Sequence, residues 1–160
     1  MNINARFGLL LGFALVCLLQ GQVFAESSFI SEAEQFEPRK AARQLVDAIS
    51  SVYQESDEAD PQEVDRKANA VLSELLQGLY PSIKNASDKA RDIFNVEFPT
   101  LMAELSQRRS EELEREIQKE TNSTTRARQQ SLLEYFRKQH ESAVRLAKNL
   151  RLKYESQGRL

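Results

Sequence analysis

The 160-residue chain contains one cysteine, one histidine and no tryptophan. The cysteine, Cys17, lies within an apolar N-terminal run. If that run is removed as a leader, the remaining chain has no thiol. Disulfides, thiolate metal sites and a cysteine nucleophile are then all excluded. A single histidine, His140, cannot form the paired imidazoles of a zinc motif, and no H-E-x-x-H or E-x-x-H occurs. A Gly-rich phosphate loop and a G-x-S-x-G elbow are missing too, and no serine or threonine has a recognisable base partner. These absences predict no enzyme activity, no cofactor and no metal site. Alternating β-branched runs are also lacking, which argues against a sheet.

The first 28 residues read "MNINARFGLLLGFALVCLLQGQVFAESS". Arg6 supplies a short positive lead, Phe7 to Leu19 are apolar, and "VFA" places small residues before a cut between Ala25 and Glu26. Such a run is shorter than the roughly 20 residues of a transmembrane helix but suits a secretory signal. Cys17 makes a poor lipid-attachment site, since Val16 precedes it where a small Gly or Ala is expected. The sequence therefore predicts a signal peptide over 1–25 and a single domain over 26–160, secreted or periplasmic. No later segment is apolar enough to span a membrane.

Charge is segregated along the chain. Residues 26–65 carry eleven acidic and three basic side chains, whereas 126–160 carry three acidic and nine basic. The whole chain is slightly acidic, with a formal net charge of −2. That balance, export, and the lack of aromatic–basic interleaving argue against nucleic-acid binding. The excess C-terminal cations are expected to meet the acidic first third, within the fold or across a dimer.

Helical spacing recurs throughout. A first helix is expected from about Glu32 or Pro38 to Tyr53, with Ser31 and Glu34 as a capping box and a seam of Ala42, Leu45, Ile49 and Val52. After the acidic linker "QESDEAD", Asp60-Pro61-Gln62-Glu63 starts a second helix, combining a capping carboxylate, proline at the first position and an acid three after the cap. Its apolar face runs from Val64 to Leu79, and Gly78 and Pro81 are expected to end it. A short helix capped at Ser87 should follow. Pro99 should then begin or kink the next helix, which is polar almost all round from Ser106 onward. Glu104–Arg108 and Glu111–Arg115 would support it as i, i+4 pairs. "TNSTT" breaks the pattern before a last helix running to about Tyr154.

The expected architecture is all-α: an antiparallel bundle of four to five amphipathic helices with a projecting charged helical hairpin at about residues 100–155. Folding the last two helices back on each other places Leu113 against Leu133 and Leu105 against the His140–Ala143 level. In the last helix Leu133, Phe136, His140, Ala143, Ala147, Leu150 and Tyr154 recur at steps of three and four, so His140 sits on an apolar seam. No acid shares that seam to orient it, which favours a polar seam residue hydrogen-bonded to a neighbouring helix over a catalytic or metal-binding one.

A binding function follows from these exclusions. The leading expectation is an exported, non-enzymatic bundle that binds another protein as an adaptor, chaperone-like factor or secreted effector, with a homodimer among the options. Arg137, Lys148 and Lys153 are the candidate interaction surface. The alternative is a carrier of lipid or another amphiphile. Several amphipathic helices without cysteine is a layout that loosely resembles exchangeable apolipoproteins, and no motif carries the resemblance further. Asn85-Ala86-Ser87 and Asn122-Ser123-Thr124 fit the glycosylation sequon, which makes Asn85 and Asn122 candidate acceptors, both expected in loops.

Overall fold

The computed structural model describes residues 36–55 and 60–160. The expected signal peptide, the Ala25–Glu26 cleavage site, the Ser31–Glu34 box and most of the acidic linker lie outside the described residues. Within them the chain forms four α-helices and no strands: α1 (Pro38–Gln54), α2 (Pro61–Asn85), α3 (Asp88–Lys119) and α4 (Ser123–Ser156). They pack against each other as an all-α bundle, with α3 in contact with both α1 and α4.

Each helix begins where local chemistry supplies the missing partners of its first turn. Pro38 opens α1 with a preset φ at a position whose N–H would go unpaired. Asp60 Oδ1 accepts the Gln62 N–H at 2.7 Å to start α2, as the sequence predicts. Ser87 Oγ accepts from Ala90 N to start α3, and Asn122 Oδ1 accepts from both Thr124 N and Thr125 N to start α4.

Pro81, expected to end a helix, lies inside one, and Pro99, expected to begin or kink the next helix, lies inside a longer one. α2 passes through Gly78 and Pro81 to Asn85. Pro81 removes the bond to the Gln77 carbonyl, but both residues are exposed, so water can take that carbonyl. Buried Ile83 anchors the extra turn to the core. The short helix expected after Ser87 and the helix around Pro99 are likewise one, α3. Phe94, Val96 and Phe98 before the proline and Met102, Ala103 and Leu105 after it are all buried. Packing on both sides holds the helix through a proline that costs an isolated helix about 3 kcal/mol. Four helices therefore stand where four to five were expected.

The core forms where α1 and α2 lie across the α3–α4 pair. Leu45, Ile49 and Tyr53 of α1 and Val64, Ala68 and Leu72 of α2 meet Phe94, Phe98 and Met102 of α3 and Phe136 and Ala143 of α4. Tyr53 meets the Phe136 ring edge-on at 4.7 Å between centroids. A smaller cluster of Val96, Leu150 and Tyr154, with Leu146 against it, joins the far ends of α3 and α4. The antiparallel register places Ala103 beside His140 and Asn95 beside Tyr154.

The hairpin is less bare than expected. Leu113 and Leu132 are almost wholly buried, and Ser106, Arg109, Ser110 and Gln129 extend the covered region with polar side chains. Arg109 is held by Glu112 at 3.0 Å and Glu116 at 3.6 Å. Only residues 114–128, around the turn, include no buried side chain. The polar sequence from Ser106 hid this, because its inward face is amide, hydroxyl and guanidinium rather than hydrocarbon.

Candidate functional site

α4 contacts its surroundings along two faces. One carries Leu132, Tyr135, Phe136, Gln139 and Ala143, all buried in the bundle. Leu133, expected on the central line, is only partly buried, so the true stripe is rotated towards Leu132 and Gln139. The other face borders an open groove of about 410 Å³ between α3 and α4. Thr100, Ala103, Glu104 and Gln107 form its α3 wall; Val144, Ala147, Lys148, Arg151 and Leu152 form its α4 wall, with His140 near one end.

His140 is half-buried, and its Nδ1–H donates to the Ala103 carbonyl across the helix pair at 3.0 Å. That bond sets the tautomer and leaves Nε2 free to accept in the neutral ring. His140 thus ties α4 to α3 at the groove edge. It borders an open surface rather than a closed core.

The three cations expected to form one surface do not. Arg137 pairs with Glu114 of α3 at 2.6 Å, not with the acidic first third of the chain. Lys153 lies five residues past Lys148, turned about 140° around the helix, and its Nζ sits 5.6 Å from the Tyr154 ring centroid. Of the three, Lys148 alone lines the groove. Sequence reasoning missed Arg151, Glu104, Val144 and Leu152. The available signal was the apolar residue left over once the seam is assigned: Val144 and Leu152 are eight apart and belong to another face. Within α4, Glu134 and Lys138 pair at i, i+4 at 3.8 Å. In α3, Glu111 accepts a hydrogen bond from Gln107.

Two further carboxylates are shielded from solvent elsewhere. Asp65 of α2, partly buried, accepts from the Tyr135 hydroxyl at 3.2 Å and from Asn69 Nδ2 at 3.2 Å. Partial burial pushes its pKa above the ordinary aspartate value, with the two hydrogen bonds opposing that shift. Burial also pushes the hydroxyls of Tyr53 and Tyr135 far up, so both remain neutral donors. This network staples α1, α2 and α4 together.

Asp92 of α3 is held differently. Gly158, at φ +66°, ends α4 in a Schellman turn, with Gly158 N–H donating to Glu155 O and Arg159 N–H to Tyr154 O. The reversed chain lays the Arg159 guanidinium over the Tyr154 ring, 5.2 Å from its centroid. The same guanidinium grips both Asp92 oxygens at 2.7 and 2.8 Å. Asn95 Nδ2 donates to the Tyr154 hydroxyl beside it.

Of the two sequon asparagines, Asn122 lies in the α3–α4 turn, while Asn85 is the last residue of α2 rather than a loop residue. Both are exposed. Among the described residues no cluster of His, Asp and Glu could hold a metal ion, and no helix is long and apolar enough to cross a membrane. No known protein family, curated protein or solved structure matches the chain.

Proposed function

We propose that the protein is an exported, non-catalytic helical bundle that binds another polypeptide through the α3–α4 groove, as an adaptor, chaperone-like factor or secreted effector would. The groove carries this reading. Val144 and Leu152 are two of the few large apolar side chains left exposed, at 43% and 55%, and both stand on one groove wall. Lys148 and Arg151 flank them without an ion-pair partner among the described residues. An apolar pair ringed by polar and charged groups is the anatomy of a protein interface rather than of a solvated helix. Export rests on the leader-like N-terminus and "VFA". A photoreactive residue at position 152, in protein recovered from secreting cells, should cross-link to a polypeptide, whereas one at Arg115, near the end of α3 and away from the groove, should not. No adduct at position 152 would sink the proposal.

The carrier reading retains one specific support. α2 is well buried only at Val64, Ala68, Leu72 and Ile83, while Leu75 is 37% and Tyr80 50% exposed. A helix half-released from its bundle could turn that face to an amphiphile. If fatty-acid vesicles raise the unfolding temperature, and Leu75→Ser with Tyr80→Ser removes the gain, the carrier reading would replace the first.

A further inference from the structure

The groove is charged oppositely on its two walls. The α3 wall presents the exposed Glu104, and the α4 wall presents Lys148 and Arg151. None of the three has an ion-pair partner among the described residues. We propose that the occupant of this groove is a second copy of the same chain, a claim that rests on the groove being a binding surface.

Symmetry decides between two ways of laying one groove face on another. A two-fold axis running across the helices would stack α3 on α3 and α4 on α4. With that axis at the level of Glu104 acid would face acid, and with it at the level of Lys148 base would face base; like charges at close range oppose association in either case. A two-fold axis running along the helices lays each α3 over the partner's α4 with levels preserved. Within one chain Ala103 shares a level with His140, and Asn95 with Tyr154. On the Ala103–His140 level Glu104 of one copy stands about 13–14 Å along the axis from Lys148 of the other, and on the Asn95–Tyr154 level about 5 Å, a gap that closes when both long side chains extend towards each other. Each contact then occurs twice, as an isologous interface requires.

The apolar content fits the same arrangement. Val144, Ala147 and Leu152 share one face of α4 at i, i+3 and i+8, with Lys148 and Arg151 on the same face between them. Ala103 and Ala147 on the two walls are small enough for the partner's helices to approach closely. The groove lining runs from Thr100 to Gln107 on α3 and from His140 to Leu152 on α4, a wall about 20 Å long. The roughly 800 Å² per partner of a specific complex therefore requires the contact to continue along the α3–α4 hairpin beyond the groove.

Charge reversal tests the register directly. Sedimentation velocity of the purified full chain over a concentration series should show monomer–dimer exchange. Glu104→Lys alone and Lys148→Glu alone should each shift the protein to monomer, with circular dichroism spectra unchanged. Mixing the two variants should restore dimer. The base introduced at position 104 of one then meets the acid introduced at position 148 of the other, and the second contact keeps its native pair. The double reversal in one chain should also dimerise. A wild type that stays monomeric at every concentration overturns the proposal, as do variants that fail to associate on mixing. If the protein is monomeric but position 152 cross-links to a foreign polypeptide, the groove remains a binding surface and only the second copy is excluded. If position 152 cross-links to nothing, the groove itself has failed.

Discussion

The two faces of α4 differ in what fixes them. The inward face, from Leu132 to Ala143, is set by contact with three other helices and includes polar Gln139 as readily as Phe136. The groove face, from His140 to Leu152, has one neighbour and leaves Val144 and Leu152 in solvent. Similar residue types therefore carry different consequences. A hydrocarbon side chain on the inward face holds the fold, and one on the groove face is available to a partner. The same helix serves both purposes because its apolar residues are spread over more than one stripe.

The sharpest way to break this comparison is to truncate one residue on each face. Phe136→Ala should cost about 3–5 kcal/mol in urea unfolding, since it empties a site packed between Tyr53 and Tyr135. Leu152→Ala should stay within about 0.5 kcal/mol, as exposed positions do, while weakening binding at the groove. Equal losses of stability would erase the distinction between the faces.

Next in size is the clasp at the far end of α4. Arg159→Ala would leave the Asp92 carboxylate, 2% exposed, without its cation. Arg159 is itself 40% exposed, so water offsets part of the loss, and about 1.5–3 kcal/mol is expected. Adding Asp92→Asn to that variant should recover part of it, because a neutral amide is easier to bury. Thermal unfolding of the three proteins would check the order.

His140 lies on the border between the faces. His140→Leu should change stability by no more than about 1 kcal/mol, the net worth of the bond to the Ala103 carbonyl. His140→Asp should cost about 1–3 kcal/mol, because it sets an acceptor against that carbonyl with no donor between them. If His140→Leu kept its unfolding curve but lost partner binding, the imidazole would belong to the interface rather than to helix pairing.

The smallest effect should come from Asp65, through pH. Its pKa is raised in the fold above the ordinary 3.8, so the folded chain holds this proton more tightly than the unfolded one. The contribution of Asp65 is thus most favourable below the ordinary value, declines as pH rises through the raised one, and stays lost above it. Asp65→Asn should remove that part of the slope, with stability relative to wild type higher at neutral pH than in acid. Parallel stability–pH curves for the two proteins would show that the Tyr135 and Asn69 hydrogen bonds cancel the effect of burial.

By itself the sequence determined the all-α class, the helix starts at Asp60 and Ser87, the Ala42, Leu45 and Ile49 positions of the α1 seam and, to within two residues, the antiparallel level of His140 against α3. Each depends on spacing or on a cap within a few residues, and such interactions are complete before distant chain arrives. Only the tertiary structure decided that α2 and α3 run through Pro81 and Pro99, because burial on both sides of a proline outweighs its local cost. Packing by α1 and α2 also rotated the inward stripe of α4 towards Gln139, and the fold joined Arg159 to Asp92 across 67 positions. The groove belongs to the same class. Lys148 was legible as a cation and Val144 as an apolar residue, but only the placement of α3 beside α4 put Glu104 on the opposite wall.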